Sequence, residues 1–287
     1  MYAVAGVSGH TGSLVARTLL DRGEPVRAIV RNREHIYKWK DRGAEVVVAD
    51  LNDPAALSLA LERVKGAYLL SPQSVYDVDP LEKWERQNQS LVTAVKKARL
   101  KNTVFLSSMG AHLDQPAGLV HALYDAEQKF QNAQLPVTFL RAAYFYENWI
   151  PALDAVHEKN QLSTFLKPGR SIPMVSVEDV ARTAVDLLLN PAESTRVVEL
   201  SGPRDYSAKD VLEMLEQALQ KKLELFLYSE KEWKKLWDDE GVHGEMIELL
   251  VETYDGFNKR RIAFSGNNVE SRKGTVTLEE VLGKWVV

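Results

Sequence analysis

The sequence contains no cysteine among its 287 residues. This absence excludes disulfides, thiolate metal sites and a cysteine nucleophile. No apolar run reaches the roughly 18 residues that a membrane-spanning helix needs. Neither charge is in strong excess, since the formal net charge is −4 at pH 7. We therefore expect no binding to nucleic acid or to an anionic membrane.

Several motifs of hydrolases and metalloenzymes are also missing. The six histidines show no H-E-x-x-H or comparable ligand spacing, and we expect no metal site. No G-x-S-x-G motif occurs, which excludes the nucleophile elbow of α/β-hydrolases. No signal peptide precedes the first apolar run, so we expect a cytoplasmic protein.

The first half of the chain alternates short apolar runs with helical patterns. Six runs predict strands: MYAVAGV, VRAIVR, AEVVVAD, AYLLSP, TVFLSSMGA and PVTFLRAA. Near-continuously apolar strands separated by helices are typical of a parallel sheet covered on both faces. The sequence therefore predicts a doubly wound α/β fold of the Rossmann type, with ligands at the carboxyl edge of the sheet.

Capping residues predict where several helices begin and end. Asp53 is expected to begin one helix, and Gly66 to end it. Ser176, Ser207 and Ser229 are expected to begin three more in the second half of the chain. These signals place helices between the predicted strands.

The second half has shorter and more polar elements. We predict a dinucleotide-binding domain over residues 1–150 and a smaller α+β cap or substrate region over residues 151–287, with some elements returning to the main sheet. Aromatic side chains of this region are expected to form the core of the cap rather than a substrate cage: Trp233, Trp237, Tyr254 and Phe257.

The stretch VAGVSGHTGSLVARTLLDRG begins at residue 4 and carries three evenly spaced glycines between a predicted strand and a predicted helix. Gly6 permits the turn, Gly9 lets the backbone approach a pyrophosphate, and Gly12 lets the helix pack against the strand. The helix N-terminus offers unpaired N–H groups and partial positive charge to phosphates. The alternative is an ordinary tight turn, but its place in a βαβ unit favours dinucleotide binding.

The end of the second predicted strand indicates which dinucleotide is bound. NAD-binding proteins usually carry an acidic residue there, whereas this chain has Arg31, Asn32 and Arg33. Guanidinium groups bind phosphate in a fork, so the arginines favour NADP(H) over NAD(H). The alternative is that they are solvated loop charges. Asp50 could accept from the adenine amino group or cap the next turn.

Seven motifs follow one another across nearly the whole chain: GVSGHTG, AIVRN, GAEVVVADLND, FLSSMG, LRAAYFYENW, SVEDVA and VELSGP. Together they resemble the NmrA-like branch of the atypical short-chain dehydrogenase/reductases. The glycine loop and the arginine after the second strand are the most specific marks. The family includes NADPH-dependent quinone reductases and NADP(H)-sensing regulators with little or no catalysis.

The resemblance implies cofactor contacts along the whole sheet edge. At the adenine and phosphate half they are Gly6, Ser8, Gly9, His10, Thr11, Gly12, Arg31, Asn32, Arg33, Asp50 and Leu51. At the nicotinamide half, and bordering the substrate, they are Ser71, Pro72, Ser107, Tyr144, Phe145 and Asn148.

The chain lacks the Tyr-x-x-x-Lys pair with which the wider superfamily protonates carbonyls. Lys129 follows Tyr124 by five residues, which rotates it away from the face of the helix that carries the tyrosine. The family position that often carries a lysine or histidine falls near Leu123. His121 could face the cleft instead; the alternative is a surface histidine.

This absence argues against an ordinary ketone as substrate, because the alkoxide it forms needs a positioned acid. A quinone gives a far less basic anion that water or a serine hydroxyl can protonate. Our candidate catalytic residues are Ser107, Ser108, His121 and Tyr144. The alternative for the two serines is capping of the strand end.

We therefore predict an NADPH-dependent oxidoreductase that transfers a hydride to a quinone-like small molecule. The alternative is a non-catalytic sensor that reads the NADPH/NADP ratio and acts through a protein partner. A third hypothesis is a reductase or epimerase that acts on another small molecule.

Overall fold

A computed structural model describes residues 1–285. Its strands are β1 (Tyr2–Val4), β2 (Val26–Val30), β3 (Glu45–Val48), β4 (Gly66–Leu70), β5 (Thr103–Ser108), β6 (Val137–Ala142), β7 (Tyr144–Phe145), β8 (Gln161–Thr164), β9 (Ile172–Val175), β10 (Arg196–Ser201), β11 (Asp205–Tyr206), β12 (Glu224–Leu227) and β13 (Glu270–Lys273). Eight of them form one sheet in the order β13-β10-β6-β5-β4-β1-β2-β3. Every neighbouring pair in that sheet is parallel, which confirms the expected α/β fold.

The helices are α1 (His10–Asp21), α2 (Ile36–Lys40), α3 (Pro54–Ala60), α4 (Pro80–Ala98), α5 (His121–Asn132), α6 (Leu153–Lys159), α7 (Val177–Leu189), α8 (Ala208–Leu219), α9 (Glu230–Asp239), α10 (Gly244–Asn258) and α11 (Leu278–Trp285). Three 3₁₀ segments cover Arg33–His35, Gly118–Val120 and Tyr146–Ala152. Among residues 1–285, no helix has the length and apolar character needed to cross a membrane.

Helices cover both faces of the main sheet. On β1, Tyr2 and Val4 point into a core shared with α1 and α7. Ala3, between them, points into the opposite core, beneath α3, α4 and α5. Burial on both faces explains why the strands read as continuous apolar runs rather than alternating ones. The strand order reverses between β1 and β4, and such a switch point opens a crevice at the carboxyl edge.

The second half of the chain contributes to the main sheet and also forms small sheets of its own. β10 and β13 extend the main sheet beyond β6, while β11, β9 and β7 form a three-stranded sheet and β12 pairs with β8. Elements on both sides of residue 150 therefore share one sheet. The proposed division into residues 1–150 and 151–287 stays a prediction.

Gly66 does not end a helix, and that prediction is wrong. α3 already ends at Ala60, and Gly66 begins β4 opposite Tyr2. A Cβ at Gly66 would lie 2.5 Å from Nδ2 of Asn102. The glycine is therefore required by packing against Asn102.

The expected helix caps are present. Asp53 Oδ1 accepts hydrogen bonds from the amides of the next turn at 2.9 and 3.1 Å. Ser176 accepts from the amide of Glu178, and reciprocal capping boxes form at Ser207 and Ser229. Local sequence therefore sets these helix starts.

The aromatic residues of the second half form a cluster. Trp233 and Trp237 are buried, and their ring centroids lie 5.3 and 4.8 Å from that of Phe165. Tyr254 joins the same ring at 4.9 Å. These side chains form a core, as expected, while Phe257 belongs to a neighbouring apolar cluster.

We expect Gly12→Ala to destabilise the protein. A Cβ at Gly12 would lie 2.4 Å from the carbonyl oxygen of Gly6 and 2.5 Å from that of Ala5. The clash should lower the free energy of unfolding by about 1–3 kcal/mol, although alanine normally stabilises a helix relative to glycine. Urea denaturation measures the change. The control is Gly169→Ala, whose Cβ meets nothing within 4 Å; equal stability of the two variants would contradict the prediction.

Candidate functional site

The N-terminus of α1 is open. Gly9 is its N-cap, with no side-chain cap and no acidic residue in the first turn. The amide of Ser13 bonds back to the carbonyl of Gly9 at 3.3 Å. Between them, the amides of His10, Thr11 and Gly12 bond to no other group in the described part of the chain. These N–H groups and the helix dipole suit an anion.

Gly6 and Gly9 have different structural reasons to be glycine. Gly6 has a φ of +67° and lies against Leu70, whose side chain would be 2.7 Å from an added Cβ. A Cβ on Gly9 would come no closer than 3.5 Å to the Gly6 oxygen, which is ordinary contact. The protein itself therefore tolerates a side chain at Gly9, and its absence leaves space in front of the helix.

The end of β2 presents free cations beside this loop. Arg31, Asn32 and Arg33 are all exposed. The Asn32 amide donates to Glu34 Oε1 at 3.3 Å. Neither arginine forms an ion pair within residues 1–285. Because β1 and β2 are neighbours, both arginines follow the strand next to the glycine loop.

Asp50 caps a turn after β3. Its Oδ1 accepts from the Asn52 backbone amide at 2.8 Å and from the Asn52 side chain at 2.9 Å. The structure thus shows the turn-capping alternative for Asp50. Leu51 packs against the core beneath α3.

The segment after β4 and the last residues of β5 bring serines to the same edge. Ser71 Oγ accepts from Gln87 Nε2 of α4 at 2.8 Å, and the Pro72 carbonyl accepts from the same nitrogen at 3.3 Å. Ser108 is half-buried and donates to the carbonyl of the next residue at 3.1 Å. Ser107 is buried and belongs to a network that the sequence did not reveal.

That network is a row of charges inside the fold. Ser107 pairs with Arg141 on the next strand, and Arg141 with Glu199 on the one after. Above them, α5 places Glu127, which is fully buried. Arg141 bonds to both Glu127 oxygens at 3.0 and 2.6 Å and lies 3.7 Å from Glu199. The amide and hydroxyl of Ser265 both donate to Glu199 at 2.8 Å.

The sequence carries a signal for this network. Arg141 and Glu199 are single charged residues inside the apolar runs TFLRAA and VVELS. Charged residues are almost never fully buried unless they are paired. A buried partner of opposite charge is therefore expected for each of these two residues.

His112 is a second residue that sequence reasoning missed. It is half-buried, in the loop that follows β5. Burial lowers the pKa of His112 and the Arg141 charge lowers it further, whereas Glu199 and Glu127 oppose the shift. The neutral imidazole is favoured. In the described residues no group of three or more histidine and acidic side chains is placed to hold a metal ion.

Helix α5 carries His121, a candidate catalytic residue, and Lys129, the lysine that follows Tyr124 by five residues. His121 is half-buried and stacks on Tyr124, with ring centroids 5.7 Å apart. Lys129 Nζ lies 2.6 Å from Asp125 on the same helix and 3.7 Å from Glu85 on α4. The lysine is therefore engaged with carboxylates between α4 and α5.

Tyr144 lies in an aromatic setting after β6. Its ring meets Phe257 edge-on at 5.6 Å and Trp149 at 6.5 Å. Burial raises the pKa of Tyr144 well above its usual value, Tyr254 raises it further, and Asn148 lowers it. The phenol therefore keeps its proton at neutral pH.

The predicted site residues thus divide into three groups. The parallel strands bring the segments after β1 to β6 to one edge, where exposed side chains are Ser8, His10, Arg31, Asn32, Arg33, Asp50, Pro72 and Asn148. Half-buried ones are Leu51, Ser108, His121, Tyr144 and Phe145. Buried ones are Thr11, Ser71 and Ser107. Their roles remain predictions.

A parallel sheet with an open glycine-loop helix at its carboxyl edge is the architecture of a Rossmann-type protein. The model of the NmrA-like family matches residues 2–282. The chain belongs to that family.

Known relatives include both reductases and assembly factors. The chain is 25% identical over 254 residues to the NAD(P)H azoreductase of Xenophilus azovorans, covering 88% of this chain and 86% of that one. It is 24% identical to quinone oxidoreductase 2 of Escherichia coli K12, covering 90% and 88%. It is 25% identical to the photosystem II assembly factor Ycf39 of Trieres chinensis, covering 75% and 67%.

A solved structure has the same fold along the whole chain. The triphenylmethane reductase of Citrobacter sp., crystallised with NADP(H), superposes with a TM-score of 0.84 at 23% identity, covering 100% of both chains.

We expect Arg141→Met to be strongly destabilising. It leaves Glu127 and Glu199 buried without their shared cation, which typically costs about 3–5 kcal/mol of unfolding free energy. Urea denaturation measures the loss. The control is Arg86→Met, which breaks an exposed pair with Glu82 and should cost under about 1 kcal/mol. Similar losses in both variants would show that the buried row does not depend on Arg141.

Proposed function

We propose that this protein is an NADPH-dependent reductase that delivers a hydride to a quinone-like, flat and conjugated small molecule. The observation that carries the proposal is the open N-terminus of α1 in front of Gly9, beside the exposed Arg31 and Arg33. Membership of the NmrA-like family and the reductases among the relatives support it.

In this proposal the chain holds the cofactor along the carboxyl edge. The amides of α1 bind the pyrophosphate, and Arg31 and Arg33 bind the 2′-phosphate through their forked donors. The nicotinamide half crosses the switch point toward β4 and β5, where Ser71 and Ser107 lie. NADPH supplies the hydride when it is bound.

The acid available in the cleft sets the substrate class. Lys129 is engaged with Asp125, so the lysine of α5 is not free to lower the pKa of a tyrosine. Burial and the neighbouring Tyr254 instead raise the pKa of Tyr144, so this phenol keeps its proton and is a weak acid. Such a group polarises a conjugated oxygen or nitrogen acceptor but protonates an alkoxide-forming ketone poorly. A quinone-like acceptor matches this limitation.

A second candidate is a redox sensor that binds NADP(H) and a protein partner without turnover. The loop after β4 exposes 40% of Val75, 62% of Tyr76 and 61% of Val78. Neighbouring apolar side chains at a surface are typical of an interaction site. The relatives that are named photosystem II assembly factors support this candidate as well.

A turnover assay separates the two functions. We expect purified protein to bind NADPH and then to oxidise it when a benzoquinone or naphthoquinone is added, followed at the absorbance band of the reduced nicotinamide. Protein without quinone, and quinone without protein, are the controls. Tight NADPH binding with no oxidation by any quinone at high protein concentration would favour the sensor.

We expect Arg31→Glu to weaken NADPH binding about 10- to 150-fold, because a charge-assisted hydrogen bond contributes about 1.5–3 kcal/mol. Calorimetric titration with NADPH measures the change, and NADH binding should not weaken, because an acidic residue at this position suits a free ribose 2′-hydroxyl. The matched control is Arg42→Glu, an exposed residue that precedes β3 at the opposite edge of the sheet. Unchanged NADPH affinity in Arg31→Glu would mean that the 2′-phosphate lies elsewhere.

A further inference from the structure

The buried row of Ser107, Arg141 and Glu199 lies near the ends of β5, β6 and β10. Together with Glu127 it fixes the orientation of the Ser107 hydroxyl. Ser107 Oγ donates to Glu127 Oε1 at 2.6 Å. A serine hydroxyl has a single proton and two lone pairs. With that proton directed at a carboxylate, Ser107 can only accept a further hydrogen bond.

The contacts around Glu127 use it as an acceptor. Arg141 donates to both of its oxygens, and Oε1 accepts from Ser107 as well. Glu199 is held separately by the Ser265 amide and hydroxyl. Each of the hydrogen bonds at Glu127 has that residue as its acceptor.

We propose that Glu127, held by Arg141, orients the Ser107 hydroxyl as an obligate acceptor toward the nicotinamide half of the cofactor, where it receives a hydrogen bond from a ribose hydroxyl or the carboxamide. The inference rests on the proposed cofactor site. It makes Glu127 a positioning residue. It also removes Ser107 from the candidate proton donors to the substrate, leaving Ser108, His121 and Tyr144.

A double-mutant cycle on NADPH affinity tests this inference without any turnover. The variants are Ser107→Ala, Glu127→Leu and their combination, and the dissociation constant of NADPH is measured by nicotinamide fluorescence. Glu127→Leu leaves Arg141 paired with Glu199, so the row becomes neutral rather than unbalanced. The control is Ser58→Ala, a buried serine on α3 that bonds only to the helix backbone.

We expect Ser107→Ala to weaken NADPH binding about 3- to 10-fold, the effect of one hydrogen bond. Glu127→Leu should weaken it by a similar factor, and the double variant no further, because both changes remove the same bond. Ser107→Thr, which keeps the hydroxyl, should restore the affinity. Adenosine 2′,5′-bisphosphate, which carries only the adenine half, should bind all variants equally.

Three results would overturn the inference. One is unchanged NADPH affinity in Ser107→Ala, which would place the hydroxyl away from the cofactor. Another is multiplied losses in the double variant, which would mean that Glu127 acts independently of Ser107. The third is an equal loss for the bisphosphate, which would indicate general damage to the fold.

Failure of the proposed cofactor site has a different signature, since wild-type protein would then bind neither NADPH nor the bisphosphate. Failure of the proposed reductase activity appears only in the turnover assay and leaves these affinities unchanged. Melting temperatures identify variants that do not fold. If Glu127→Leu is among them, Ser107→Ala and Ser107→Thr with the two probes still decide whether Ser107 accepts from the nicotinamide half.

Discussion

The close contact between α1 and β1 is the constraint on which the rest of the edge depends. Gly12 lies so near the carbonyl oxygens of Ala5 and Gly6 that no side chain fits between them. The helix can therefore begin immediately above the strand, with its free amides at the carboxyl edge. The other strands of the main sheet run parallel to β1, so their carboxyl ends reach that same edge. The glycine contact therefore aligns the helix with all of them.

The buried row of Ser107, Arg141 and Glu199 is the second organising feature. An apolar row of similar volume would be about as stable as a buried ion pair, since burying charges costs much of what their attraction returns. The charged row differs from an apolar one because its hydrogen bonds have a direction. Hydrogen bonds specify which atom is donor and which is acceptor, whereas apolar packing specifies only shape. The row therefore determines the chemistry that the end of β5 presents.

Local patterns in the sequence predicted the elements well, because apolar runs and caps are local. The role of Gly12 and the cap at Asp53 both followed from neighbouring residues. Gly66 was misread because its reason lies in Asn102, a residue of the next βαβ unit. The network of Glu127, Arg141 and Glu199 escaped for the same reason. It depends on the register of three parallel strands and a helix, which no local spacing reveals.

The carboxyl edge of the main sheet thus has hydrogen-bond donors and acceptors in different places, which composition does not show. Tyr144 retains its proton because burial makes the phenolate unfavourable. Ser107 donates its one hydrogen bond to Glu127, so it can only accept another. In the proposed site, the donor to the substrate and the acceptor from the cofactor are therefore different groups, on different strands. Such a separation would let the chain hold the nicotinamide without competing for the proton that a reduced substrate takes up. It would also let a cleft without a lysine-activated tyrosine suit an acceptor that needs only weak protonation.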